Sequence, residues 1–184
     1  MRWPGPYPLE ACALEWLRYR KQCILVMLER GPSREWTPDV YGVLESGWSI
    51  EVEVKRTRDD FRVNAQKPCW WSREWQRQRV ANGQELPPGF YAPRWFYFMA
   101  PPEIAQMMMS ELPPGAGLLT IAAEKRQTVA GLPPVAVLKA GRALETGTRL
   151  DAAEIRRLSL HVSGTVVSLA AALATARSNN NDAL

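Results

Sequence analysis

Residues Ser49 to Phe61 read SIEVEVKRTRDDF. The first seven constrain the fold more than any other stretch. In an extended chain Ile50, Val52 and Val54 fall on one face and Glu51, Glu53 and Lys55 on the other, because side chains alternate with a period of two. The apolar face calls for a core. Carboxylates on the opposite face of a central strand are costly to bury unless paired or bound to a cation. The segment therefore predicts a strand that builds the core with one face and carries a charged site on the other.

The residues before it supply a partner. Pro38 opens an extended segment, Asp39 to Leu44 reads as a strand, and Ser46-Gly47 is a turn, so the two strands form a hairpin. Upstream, Leu9 to Lys21 has an amphipathic helical pattern, with Leu9, Ala13, Leu14, Trp16, Leu17 and Tyr19 apolar. CILVML (Cys23–Leu28) reads as a buried strand or as an extension of that helix. Its continuous apolar run and the Gly31-Pro32 stop favour the strand.

Downstream, Asp59 starts a helix, with Asp60 as its expected N-cap. Trp95 to Met99, Gly117 to Ile121 and Val135 to Leu138 read as strands. Pro101-Pro102 starts a short helix through Met107 to Met109, read as core filler. Asp151 and Glu154 have capping-box spacing for a helix to about Arg177. Its Leu158, Val162, Val166, Leu169 and Leu173 form a stripe expected to face a core, and His161 is expected to be structural. The fold class is α/β (α+β), a mixed central sheet flanked by helices. One domain is expected over residues 1–177, with a Trp/Arg-rich insertion at about 70–93 and a disordered tail at 178–184.

Composition excludes several classes. With 184 residues, 46% of them hydrophobic, the chain can bury a core. Three cysteines and one histidine, with no CxxC pair, argue against a disulfide framework and a Cys/His zinc site. No signal-peptide h-region precedes Leu9, and the most apolar window, Leu158 to Ala176, fits a helix stripe better than a span. A cytoplasmic protein without a membrane partner is expected. Net charge is +4, but between Lys55 and Arg79 eight basic residues face three acidic ones. Such a patch suits a polyanion, or is simply a solvated helix face.

The charged face has a specific chemistry. Asp39, Glu53 and Lys55 can converge at one strand edge, giving two carboxylates for a hard cation beside a lysine. Mg²⁺ takes oxygen ligands of this kind, completed by waters and phosphates. A lysine next to it can orient or deprotonate water and stabilise charge building on phosphorus.

Pro38-Asp39, a thirteen-residue spacer and Glu53-Val54-Lys55 resemble the motif of the PD-(D/E)XK nuclease superfamily. EVEVKRTRDDF with Lys67 is similar to a run in its bacterial and phage branch related to MmcB-type DNA repair proteins. FYFMAPPE, LPPGAGLLTI and VAVLKAGRAL resemble later strands of that branch, so the likeness extends over roughly Leu9 to Leu173. The resemblance implies a restriction-endonuclease-like core and a metal-dependent deoxyribonuclease, acting in DNA repair, recombination or phage DNA processing. It implies Mg²⁺, with Mn²⁺ able to substitute, held by Asp39, Glu53 and the Val54 carbonyl. It implies Lys55 as the catalytic lysine. Glu51 competes with Glu53 for the metal but lacks the Glu-x-Lys spacing, and is otherwise expected at the solvated end of the strand. Many superfamily members add an upstream acid, for which Glu29 is preferred and Glu15 is the rival.

DNA phosphates are expected at Arg56, Arg58, Arg62, Lys67, Arg73 and Arg77. The Trp70 to Pro93 segment departs from the branch; its tryptophans either stack on bases or cap the core. A non-catalytic nucleic-acid-binding module on the same fold is the alternative function. Oligomeric state stays open, with a homodimer among the options.

Overall fold

The computed structural model describes residues 8–32, 37–65, 81–83, 91–123, 128 and 131–181, with backbone alone for 64–65 and 167–181. The chain forms two compact units, Met1–Leu150 and Asp151–Leu184, where the sequence suggested one domain through residue 177.

The first unit is an α+β structure around a six-stranded mixed sheet. Helix α1 (Leu9–Glu15) continues as a π turn through Trp16–Arg20. It is followed by β1 (Leu25–Leu28), β2 (Val40–Val43), β3 (Ser49–Val54) and α2 (Arg58–Ala65). Then come β4 (Trp95–Met99), α3 (Pro102–Met108), β5 (Gly117–Ile121) and β6 (Val135–Lys139). The strands lie in sequence order. β1, β2 and β3 form an antiparallel meander, β4 and β5 run parallel to β3, and β6 returns antiparallel. Parallel neighbours need crossovers; α2 lies in the first and α3 in the second.

The period-two alternation of β3 sorts the two cores. Ile50, Val52 and Val54 join Leu9, Cys12, Ala13, Trp16 and Leu17 of α1, together with Tyr97 and Met99 of β4. The opposite face of β4 presents Phe96 and Phe98 to Phe61 of α2 and to Ile104, Ala105 and Met108 of α3. Helix α1 thus covers one face of the sheet and the α2–α3 pair the other. Of the methionine run, Met108 fills the core while Met107 and Met109 are exposed. Tyr19, placed on the apolar stripe of α1, is also exposed. The π turn accounts for it: the Lys21 N–H reaches back to the Trp16 carbonyl, shifting the helical phase.

Two glycines are demanded by geometry. Gly47 turns the β2–β3 hairpin at φ 82°, and a Cβ there would stand 2.7 Å from the Leu150 carbonyl oxygen. At Gly117 a Cβ would come within 2.3 Å of the Tyr97 ring, so β5 pairs closely with β4 only because that position is bare.

Helix α2 is capped one turn earlier than expected. Thr57 Oγ1 accepts the Asp60 N–H at 3.1 Å, so Thr57 is the cap and Asp59 and Asp60 occupy the first turn. Acidic side chains there favour the helix dipole.

The second unit is one helix, α4 (Ala152–Asn181), continuing past the expected Arg177 end into the segment expected to be a disordered tail. The Asp151 carboxylate accepts the Glu154 N–H at 2.8 Å, as its spacing suggested. Leu158 is buried, but Val166 of the same stripe is 58% exposed. Apolar residues also lie off the stripe, at Leu160 for instance, so spacing alone does not select a face. His161 is exposed. The side chains of Leu169 and Leu173 are outside the described residues. Among the described residues no helix is long and apolar enough to cross a membrane.

Candidate active site

The antiparallel register of β2 and β3 sets Val40 against Val52 and Tyr41 against Glu51. One step further along the same ladder, Asp39 stands opposite Glu53. Paired residues in such a ladder share a face. Asp39, Tyr41, Glu51 and Glu53 therefore line the side of the hairpin away from α1. The parallel neighbour β4 adds Phe96 beside Glu51 and Phe98 beside Glu53. The backbone continues the pairing for one more residue, the Lys55 N–H donating to the Met99 carbonyl at 2.8 Å. That bond fixes the point from which the Lys55 side chain departs.

Four of the five sequence-predicted metal and catalytic positions, Asp39, Glu53, Val54 and Lys55, come together here. Val54 donates its N–H to Asp39 Oδ2 at 2.7 Å, and Lys55 Nζ lies 2.8 Å from Glu53 Oε1. The Lys55 side chain is 9% exposed and that of Glu53 19%. The pair is thus largely shielded from solvent, where electrostatic interactions are stronger than in water. Burial pushes the Asp39 carboxyl up to about 6, helped by the nearby Glu53 and opposed by the Val54 N–H and Lys55.

Glu51 corrects its expected position. It does not sit at a solvated strand end but is 1% exposed, and its Oε1 has no hydrogen-bond partner. Burial, then Glu53, then Asp39 raise its pKa well above the usual carboxylate range. The pairing of β3 with β4 explains the difference: a strand flanked on both sides, under α2 and α3, has no solvated end.

The two upstream candidates, Glu29 and Glu15, are placed differently from each other. Glu29 lies alongside Asp39 through its backbone, its N–H donating to the Asp39 carbonyl at 3.0 Å, in a left-handed conformation of φ 45°. Its side chain is exposed. Glu15 is buried and accepts a hydrogen bond from Thr128. Glu10, in the first turn of α1, also contributes a small raising effect on the Asp39 carboxyl. No spacing rule links Glu10 to Asp39. Its one sequence signal was being the acidic residue at the start of the first amphipathic helix.

The predicted phosphate contacts are partly engaged. Arg56 pairs with Glu10, and Arg58 with Glu111. Arg62 Nε lies 3.5 Å from Glu111 Oε2. All three guanidinium side chains remain 41–50% exposed. Exposed pairs of this kind are weak and exchange readily. Lys67, Arg73, Arg77 and most of the Trp/Arg-rich insertion lie outside the described residues.

Two carboxylates and the Val54 backbone carbonyl are the oxygen donors a hard divalent cation takes; the adjacent Lys55 ammonium is not a ligand. Asp39 keeps its second oxygen free of the Val54 bond, and the nearby Glu51 Oε1 is buried without a hydrogen-bond partner. The residues therefore fit such an ion. Among the described residues, however, no group of three or more His, Cys, Asp or Glu side chains stands ready to hold one. Glu53 is turned onto Lys55 instead.

No protein-family model and no curated protein sequence matches the chain. A solved structure, a protein of unknown function from Silicibacter pomeroyi, is similar over 90% of this chain and 93% of its own, with a TM-score of 0.54 and 17% identity. That likeness is one of fold.

Proposed function

We propose that this protein is a Mg²⁺-dependent DNA nuclease of the PD-(D/E)XK type, hydrolysing phosphodiester bonds in DNA repair, recombination or phage DNA processing. The observation that carries the reading is the convergence of Asp39, Glu53 and Lys55 at one end of the β2–β3 ladder. Asp39 precedes the first ladder pair, Val40 with Val52, and accepts the Val54 N–H, while Lys55 Nζ is 2.8 Å from Glu53 Oε1. Asp39, Glu53 and the Val54 carbonyl would hold Mg²⁺ or Mn²⁺. The ion, when bound, would neutralise the scissile phosphate and acidify a water.

The remaining work falls to the chain. Lys55, projecting just beyond the β3–β4 pairing, would orient the attacking water and stabilise the charge that builds on the phosphate oxygens. Arg58 and Arg62 on α2, with Arg56, would exchange their carboxylate partners for backbone phosphates of DNA. Phe61, Phe96 and Phe98 pack beneath the site and keep bulk water from its floor.

A second reading, a non-catalytic nucleic-acid-binding module, is favoured by one observation: Lys55 is held by Glu53 and the α2 arginines by Glu111. Incubation with plasmid and single-stranded DNA separates the two. Cleavage that needs Mg²⁺ or Mn²⁺ and stops with EDTA supports the nuclease. Salt-sensitive binding without any cleavage supports the module.

A further inference from the structure

The β2–β3 ladder places three carboxyls on one face, and among the described residues the donors beside them are already taken. Lys55 bonds Glu53, the Val54 N–H bonds Asp39, and Arg56 bonds Glu10. Glu51 receives none of them. Its carboxyl stands opposite Tyr41 and beside Phe96, fully buried, with Oε1 lacking a hydrogen-bond partner. The charged groups that act on it are Glu53 and Asp39, both of its own sign.

Phenylalanine rings cannot solvate a carboxylate, and an unpartnered buried oxygen costs its full desolvation. A chain gains nothing for its core from such a residue; Val or Ile would pack the same place. A buried carboxylate becomes favourable when a cation sits against it.

We propose that Glu51 is a third carboxylate ligand of the divalent cation held by Asp39 and Glu53, which adds a protein ligand to the site on which the nuclease reading rests. Glu53 bonds Lys55, and the three carboxyls do not form a closed cluster among the described residues. A bound ion would draw on Asp39, Glu51 and Glu53 together, and Lys55, no longer needed to neutralise Glu53, would be available to meet a water.

The test uses Mn²⁺ alone, without DNA, with free ion counted by electron paramagnetic resonance at pH 8. Glu51→Gln keeps the shape and removes the charge. It is expected to weaken Mn²⁺ binding by at least about tenfold, as losing a metal-site contact typically does, while melting without Mn²⁺ at or above the wild-type temperature. Asp39→Asn serves as the reference for a lost ligand.

If Asp39→Asn loses Mn²⁺ but Glu51→Gln binds it as wild type does, Glu51 is a neutral buried acid and the inference fails, leaving the nuclease reading intact. If the wild-type protein takes up no Mn²⁺, both fail together. Should Glu51→Gln not fold, Glu51→Asp decides: the shorter carboxylate is expected to weaken Mn²⁺ binding relative to wild type, and wild-type affinity in that variant overturns the proposal.

Discussion

The Asp39 carboxylate accepts the backbone N–H of Val54 at 2.7 Å, so the residue on one strand of the hairpin is positioned by the strand that carries Glu53 and Lys55. A side chain held by a neighbouring backbone does not depend on loop conformation, and sites built on strands are held more tightly than sites on loops. The same bond leaves the other Asp39 oxygen unengaged by Val54, and the charge of Glu53 adds to burial in raising the Asp39 pKa.

That pKa gives a stability prediction with a definite sign. The Asp39 carboxyl is raised from 3.8 to about 6, so the folded protein holds its proton more tightly than the unfolded chain does. The stabilisation is complete below pH 3.8 and is lost as pH rises through about 6. Asp39→Asn should therefore melt higher than wild type at pH 8, by on the order of 1–2 kcal/mol, and equally at pH 4. Thermal melts without divalent ions at the two pH values check this. Equal melting at pH 8 would mean that Asp39 carries no such strain.

Metal affinity should follow the same group in the opposite direction. A proton and a cation compete for one carboxylate, so Mg²⁺ or Mn²⁺ binding should weaken as pH falls below about 6, where Asp39 takes up its proton. Mn²⁺ titrations at pH 5 and pH 8 measure it. Affinity that does not change across that range would remove Asp39 from the ligand set.

Lys55→Ala should lower the cleavage rate at saturating DNA by roughly 10²–10⁴-fold, the range for a lost proton-transfer or charge-stabilising group. DNA affinity should change far less, since Lys55 is buried rather than part of an exposed basic surface. Rate and binding measured on the same variant separate the two roles. Lost binding with an unchanged rate would make Lys55 a phosphate contact.

The Glu111 clamp on Arg58 and Arg62 gives a pair of variants with opposite signs. Arg58→Ala should weaken DNA binding on all sequences and flatten its salt dependence by about one unit of slope. Glu111→Gln should strengthen binding, because it releases both arginines. If Glu111→Gln leaves affinity unchanged, the clamp serves only to tie α2 to the end of α3.

Gly117→Ala tests the fold independently of function. The new methyl would meet the Tyr97 ring at 2.3 Å, and overpacking of this kind costs about 1–3 kcal/mol. A variant as stable as wild type by denaturant melting would contradict the close β4–β5 approach.

How much of this was legible depended on whether the signal was local. Each strand was readable from its own composition, and the β2–β3 hairpin from Ser46-Gly47 and the alternation around it. That pairing alone brings Asp39 to Glu53. What sequence missed came from tertiary contacts. Glu51 has the same local pattern as Glu53, and only the parallel pairing with β4 buries it. Glu10 reaches the site because α1 packs across β2 and β3, which no spacing encodes. The helix cap at Thr57 was masked by two following aspartates, each a good cap by type. In α4 the apolar stripe was read as one face, although Leu160 lies off it and Val166 on it is exposed.

The central claim is that Asp39, Glu53 and Lys55 form a metal-dependent phosphodiesterase site, and one measurement tests it most directly. Wild-type protein, Asp39→Ala and Glu53→Ala are each incubated with supercoiled plasmid and with single-stranded DNA, with Mg²⁺, with Mn²⁺, and with EDTA. Wild type is expected to cut at least one substrate with either ion and to stop with EDTA. Both variants should remain folded, bind DNA and fail to cut. Cleavage by either variant at the wild-type rate, or no cleavage by the wild type on any DNA with either ion, would contradict the account.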